Sequence, residues 1–246
     1  MLIEVLAASA EDCLAAARAG ADRIELNSSL GQGGLTPTAG TLAVARRATR
    51  LPIMAMLRPR PAGFAYSALE LETMEEDGRA LVAAGADGLV FGILDEGGRV
   101  DTAACARLMA AVSDCREWVF HRAFDLVPDP FAALEELAGL GIARILTKGQ
   151  ANSFEEGEEL LLALRQAAAG RIGILVPGVR PHNVRRIVIE DGFGSIHIGR
   201  FVGRLDPSNL ARPGIFFGSA SAGREGEHEV LDEDYLKEIR ALAEGD

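Results

Sequence analysis

One join recurs four times along this chain: a helix-like stretch, a glycine, then a short apolar run. It appears in ARAGADRIEL, VAAGADGLVF, LAGLGIARIL and IEDGFGSIHI. Glycine suits the left-handed residue that closes a helix, so Gly20, Gly85, Gly141 and Gly192 read as helix stops placed just before strands. Apolar runs at 2–6, 23–27, 52–57, 87–92, 117–121, 144–147, 172–176 and 195–198 give eight strands, each followed by a segment with helical patterning. The mean repeat of about 31 residues holds one strand, one helix and two short loops. Such alternation builds a parallel sheet, either closed or doubly wound. A doubly wound sheet would be marked by GxGxxG after the first strand. The nearest approach is GQGGLT after the second, with Thr36 in the last glycine position. The prediction is therefore an α/β fold, a single (β/α)8 TIM-type barrel domain over 1–246. After the eighth strand the rhythm breaks. Residues 201–230 are expected as an extended loop or lid and 231–246 as a terminal helix, because loops beyond ~15 residues are uncommon outside such roles.

Composition narrows the partners. A formal net charge of −11 argues against nucleic acid and anionic membrane, since polyanions are met by a basic face. No apolar run approaches the roughly 18 residues that read as a bilayer span. In MLIEVLAASA, Glu4 interrupts a small-residue stretch that imitates a signal cleavage site, and no basic segment precedes it, so a cytoplasmic protein is expected. Cys13, Cys105 and Cys115 lack metal-ligand spacing and read as reduced thiols.

Barrel active sites lie at the C-terminal ends of the strands, so charges there carry the most information. Those ends bring Glu4, then Glu25 with Asn27, Arg58, His121 with Arg122 and Asp125, Thr147 with Lys148, and His197 with Arg200. Alternation along the strands turns Arg23, Glu25 and Asn27 inward opposite Ile24 and Leu26. It also sets Met54, Met56, Arg58 and Arg60 on one side, and His121 inward with Val119. Buried charge must be compensated or meet a ligand. A sealed plug of ion pairs is the plain alternative, but the whole set is read as a binding site. Glu4, Glu25, His121 and Asp125 are the candidate acid–base groups. Arg58, Arg122, Thr147, Lys148, Gln150, Gly178, His197 and Arg200 are the candidate ligands of a small anion. A divalent ion on Glu4, Glu25 and His121 is weighed against neutralisation of Arg58 by those carboxylates, and neutralisation is expected. The loop GQGGLTPT is expected to turn free N–H groups of Gly31, Gly33 and Gly34 toward an anion, with Thr36 capping the next helix ahead of Pro37. Gly178 in VPGVRPHNV is expected near the mouth, where barrels often bind phosphate. Asp129 and Pro130 read as a cap and first turn of a helix.

The motifs GADRIELNSSLGQGGLTPT, RPRPAGFAYS, FHRAFD, GIARILTKGQ and GVRPHNV together resemble the CutC family, associated by name with copper homeostasis and copper binding. The likeness runs from Glu4 to about His197. It implies a TIM-type barrel, a cytoplasmic protein, and a mouth lined by Glu4, Glu25, Arg58, His121, Arg122, Asp125, Thr147, Gln150 and His197. Copper enters by family association only. Where relatives carry cysteines this chain has Leu6 or Ala7, and Asn27, and sulfur is what suits Cu(I). Lys148 and Arg200 replace small polar residues and make the mouth more positive, while Pro177 stiffens the approach to Gly178. Three functions are thus set out: copper homeostasis by family; small-anion binding, with an enzyme working through His121 and Glu4 or Glu25 on a phosphorylated or carboxylated metabolite as its alternative; and a dimeric scaffold paired through 201–229.

Overall fold

The structure is a computed structural model that describes residues 1–212, 214–215 and 226–245. Strand and helix alternate as β1 (Leu2–Ala7), α1 (Ala10–Arg18), β2 (Arg23–Leu26), α2 (Ala39–Ala48), β3 (Ile53–Met56), α3 (Ala68–Ala83), β4 (Gly88–Phe91) and α4 (Thr102–Ala111). They continue as β5 (Trp118–Phe120), α5 (Pro130–Gly139), β6 (Arg144–Leu146), α6 (Phe154–Ala168), β7 (Gly173–Leu175) and β8 (Ser195–Ile198). All eight strands pair in parallel, in the order β7-β6-β5-β4-β3-β2-β1-β8. The ring closes where Val176 N–H donates to Ser195 O at 3.1 Å and His197 N–H donates to Val176 O at 2.8 Å. This is the expected α/β barrel.

The punctuation explains the regularity. Gly20, Gly85, Gly141 and Gly192 all adopt positive φ, between +67° and +106°, as the recurring join requires. At the other helix ends, Asp129 accepts from the N–H groups of Phe131 and Ala132 at 3.0 Å each, with Pro130 opening α5 as expected. One connection departs from the pattern. Between β7 and β8 there is a π-helical turn, Arg186–Glu190, in place of an α-helix. Pro177, Gly178 and Pro181 occupy the first part of that connection, where a helix would have to start.

Ile24 and Leu26 pack outward into the main core, while Met54, Met56, Val90 and Val119 form a separate apolar layer inside the barrel. At the strand-start end the interior is ionic. Arg23 meets Glu117, and Arg144 Nε donates to the same carboxylate at 3.1 Å. The barrel floor is therefore closed by charge pairs, and the opposite end carries the open mouth.

The expected loop over 201–230 contains an antiparallel pair, β9 (Phe201–Leu205) and β10 (Glu227–Leu231). Residues 213 and 216–225 of that segment, on which the lid and scaffold expectations partly rest, lie outside the described residues, as does Asp246. The pair returns to the barrel through Asp12 of α1. Its buried carboxylate accepts from Leu231 N–H at 2.9 Å and from Ala8 N–H at 3.1 Å. The last helix, α7 (Glu233–Glu244), then packs against α1. Among the described residues, no helix is long and apolar enough to cross a membrane.

Candidate functional site

A cavity of about 260 Å³ opens at the C-terminal ends of the strands, where Glu25, Arg58, His121, Arg122 and His197 meet. These five come from β2 and from the ends of β3, β5 and β8. Residues far apart in sequence converge because each stave presents its inward face at the same level.

Strand register creates the first cluster. Glu4 on β1 stands beside Arg23 on β2 and beside His197 on β8. Its Oε2 accepts from Arg23 Nε at 2.6 Å, and its Oε1 lies 2.8 Å from His197 Nδ1. Burial pushes the Glu4 carboxyl up, but the His197 hydrogen bond and the Arg23 charge outweigh it and hold the group below its ordinary range. For His197 burial disfavours the imidazolium, yet Glu25 and Glu4 overcome that and raise its pKa. Glu25 goes the other way: burial, reinforced by the negative charge of Glu4, holds its carboxyl above the usual carboxylate range. Its Oε1 accepts from Asn27 Nδ2 at 2.9 Å, while Oε2 is buried with no partner among the described residues.

The guanidinium expected beside these carboxylates is elsewhere. Arg58 Nη1 donates to the carbonyls of Gln32, Gly33 and Gly34 at 3.0–3.2 Å, and Nη2 donates to Ala62 O at 2.9 Å. The neutralisation of Arg58 by Glu4 and Glu25 is thereby corrected: Arg23, set beside Glu4 by register, takes that role. The glycine loop is corrected with it. Gly33 and Gly34 spend their N–H groups on Leu30 O and Ser29 O, so the loop offers Arg58 its carbonyls and offers an anion no N–H from those two glycines. Nor does Thr36 cap α2. Thr38 does, and Thr36 Oγ1 instead accepts from Arg58 N–H at 2.9 Å, stitching the loop to the end of β3. Arg60 leaves the cavity altogether to pair with Glu70 of α3.

His121 faces inward as alternation predicts. Its Nδ1 accepts from Ala123 N–H at 3.1 Å, capping the 3-10 turn Arg122–Leu126. Phe64 lies against the ring, with centroids 4.7 Å apart, and the Arg58 guanidinium carbon sits 5.1 Å from the Phe64 centroid. Gly92 makes room for the ring, since a Cβ there would run into it. Burial and then the Arg58 charge push the imidazole down to about 3, so it is neutral.

A second group gathers beside the cavity. Asp125 accepts from Thr147 Oγ1 at 2.5 Å, from the N–H groups of Lys148 and Gln150 at 3.1 and 3.2 Å, and from Arg122 Nε at 2.7 Å. That saturates Asp125 as a brace of the loop after β6. Gln150 Nε2 donates to Val127 O at 2.5 Å, and Lys148 Nζ donates to Asn152 O at 2.9 Å with its chain against Gly178. Arg200 turns away, 5.8 Å over the ring of Tyr235 in α7. So Glu25, Arg58, His121, Arg122 and His197 line the cavity, with Glu4 directly behind. Asp125, Thr147, Lys148, Gln150, Gly178 and Arg200 are not among its lining residues. Phe64 and Gly92 escaped sequence reasoning, although Phe64 lies inside the motif RPRPAGFAYS.

A family model described as the CutC family matches residues 1–201. The chain belongs to the CutC family. A CutC family protein of Treponema denticola is 44% identical over 238 residues, 96% of each chain. The copper homeostasis protein cutC homolog of Homo sapiens is 39% identical over 246 residues, 98% of this chain and 89% of the relative. Among solved structures, CutC from Streptococcus agalactiae matches with a TM-score of 0.76 and 35% identity, covering 81% of this chain and 98% of that one.

The family's copper association can be set against the donors present. Among the described residues, one group brings three metal-capable side chains within 4.8 Å of one another: Glu4, Glu25 and His197. His197 thus stands where a trio with His121 was weighed from the sequence. Two carboxylates and an imidazole form a hard donor set without sulfur, and both Glu4 oxygens are already engaged. Cys13 in α1 and Cys105 in α4 are buried, their thiols pushed up to about 12, and Cys115 lies before β5 with its thiol at about 11. The one sulfur on the cavity wall among the described residues is the thioether of Met56, which packs with Met54, Val90 and Val119, so a thiolate Cu(I) site does not fit the mouth of this CutC chain.

Proposed function

We propose that this CutC-family barrel binds a small organic anion in its mouth cavity, and that the copper homeostasis named for its human relative is not served here by a Cu(I) site. Arg58 carries the reading. It is a buried guanidinium on the cavity wall, and among the described residues no carboxylate lies in ion-pair range of it. Four carbonyl oxygens accept from its Nη1 and Nη2 but leave its charge uncancelled, and its Nε has no partner among the described residues. Burying an uncompensated ion costs several kcal/mol, which a ligand carboxylate or phosphate would offset. His197 and Arg122 also face the mouth, but Glu4 and Asp125 already pair with them, so the uncompensated charge is that of Arg58. Size limits the ligand. At about 260 Å³ the cavity lies just below the ~300 Å³ lower edge of typical small-molecule sites, which suits an acid of a few carbons.

Calorimetry with inorganic phosphate, pyruvate and dihydroxyacetone phosphate tests this reading. At least one should bind, and Arg58→Met should weaken that binding at least ~10-fold while far-UV circular dichroism stays unchanged. Absence of heat with all three probes, or equal affinity in the variant, would remove the proposal. One observation favours a second reading, acid–base work on the bound anion: Glu25 Oε2 is buried without a partner among the described residues, on a carboxyl held above its ordinary range. Of the two glutamates considered, Glu4 has both oxygens engaged, so the role falls to Glu25.

A further inference from the structure

Two cavity groups are left with one specific capability each. Because His121 Nδ1 accepts from Ala123 N–H, the ring proton of the neutral imidazole sits on Nε2. That Nε2–H is buried with no partner among the described residues, and it belongs to a ring held between Phe64 and the bare Cα of Gly92. It is a fixed hydrogen-bond donor that burial, and then the Arg58 charge, keep from becoming an imidazolium. Glu25 lines the same cavity, fixed through Asn27 and with one buried oxygen left without a partner among the described residues. A donor that cannot change charge and a carboxylate that can, on the wall of one cavity, match a substrate whose carbonyl oxygen becomes negative while a neighbouring C–H loses its proton.

From the shared cavity of Glu25 Oε2 and His121 Nε2–H, we infer that this site enolises a small carbonyl-bearing acid or phosphate. The inference rests on the anion reading, because Arg58 supplies the charge that holds such a substrate. Ionised Glu25 removes the proton from the carbon beside the carbonyl. The C–H electron pair forms the C=C bond, the carbonyl π pair moves onto oxygen, and His121 Nε2–H hydrogen-bonds the resulting enolate. Return of the proton from Glu25 to carbon restores both partners, so atoms and charge balance without an oxidant or co-substrate.

Exchange of substrate C–H for deuterium reads this step directly. Pyruvate and dihydroxyacetone phosphate are incubated with the full chain in D₂O, and loss of the proton signal beside the carbonyl is followed by NMR. The native chain should exchange one of them well above the protein-free rate. Glu25→Gln should abolish that exchange while calorimetric affinity stays within a few-fold, and His121→Asn should slow it by about 100-fold. Binding without exchange, or native exchange in Glu25→Gln, overturns enolisation and leaves the anion reading standing. No binding of either probe overturns enolisation of both.

Discussion

His121 and His197 share one cavity and answer acid in opposite senses. His121 titrates near 3 in the fold against 6.5 in the open chain, so the unfolded state binds the proton first. Its stabilising contribution is whole above pH 6.5 and drains away as pH falls from there toward 3. His197 has a raised pKa, so its contribution is whole below 6.5 and is lost as pH rises through that raised value. In His121→Asn an amide oxygen can still cap Ala123 N–H, while the titrating ring is gone. Urea midpoints at pH 7 and pH 5 should show the native chain losing roughly 1–2 kcal/mol more than this variant. Equal losses would mean that His121 does not set the acid response. Much at this scale was legible: His121 turns inward because it alternates with Val119, and Glu25 because it alternates with Ile24 and Leu26. Which guanidinium meets Glu4 was not legible, because that depends on the register between β1 and β2.

Loops and strands carry the next set of constraints. The glycine loop after β2 folds around Arg58, so a segment that reads as a cradle for anions is a cradle for a cation. Glycine content alone cannot decide whether a turn presents N–H groups or carbonyls, since both belong to the same backbone. The antiparallel pair after β8 was also hidden. Its strands lie at the two ends of a long polar segment, and pairing at that separation leaves no local period to read. Its tie to the barrel is specific. Asp12→Ala would leave the N–H groups of Leu231 and Ala8 without their acceptor, and should lower stability by about 1–3 kcal/mol in denaturant unfolding. Hydrogen exchange should quicken first in 227–231; an unchanged midpoint would show that this tie is dispensable.

For the molecule as a whole, glycine punctuation and apolar runs were enough to number the staves, because a parallel barrel repeats one local grammar eight times. They fell short at the connection after β7, where prolines leave only a π-helical turn, and at the strand pair after β8. Thiolate copper chemistry is also decided at this scale, since the thiols lie on the outer helices and before β5, away from the mouth. In competition with a chromogenic Cu(I) chelator the native chain should take up no stoichiometric copper, and thiol uptake should emerge only on unfolding. Tight one-to-one uptake by the folded chain would reverse that conclusion. Inside the staves, Arg144, Glu117, Arg23, Glu4, His197 and Glu25 make a column of alternating charge from floor to mouth. Proton affinity at one end of the molecule can therefore be tuned from the other. Selection can adjust when the mouth gives up its hydrogen without altering any surface that decides what fits there.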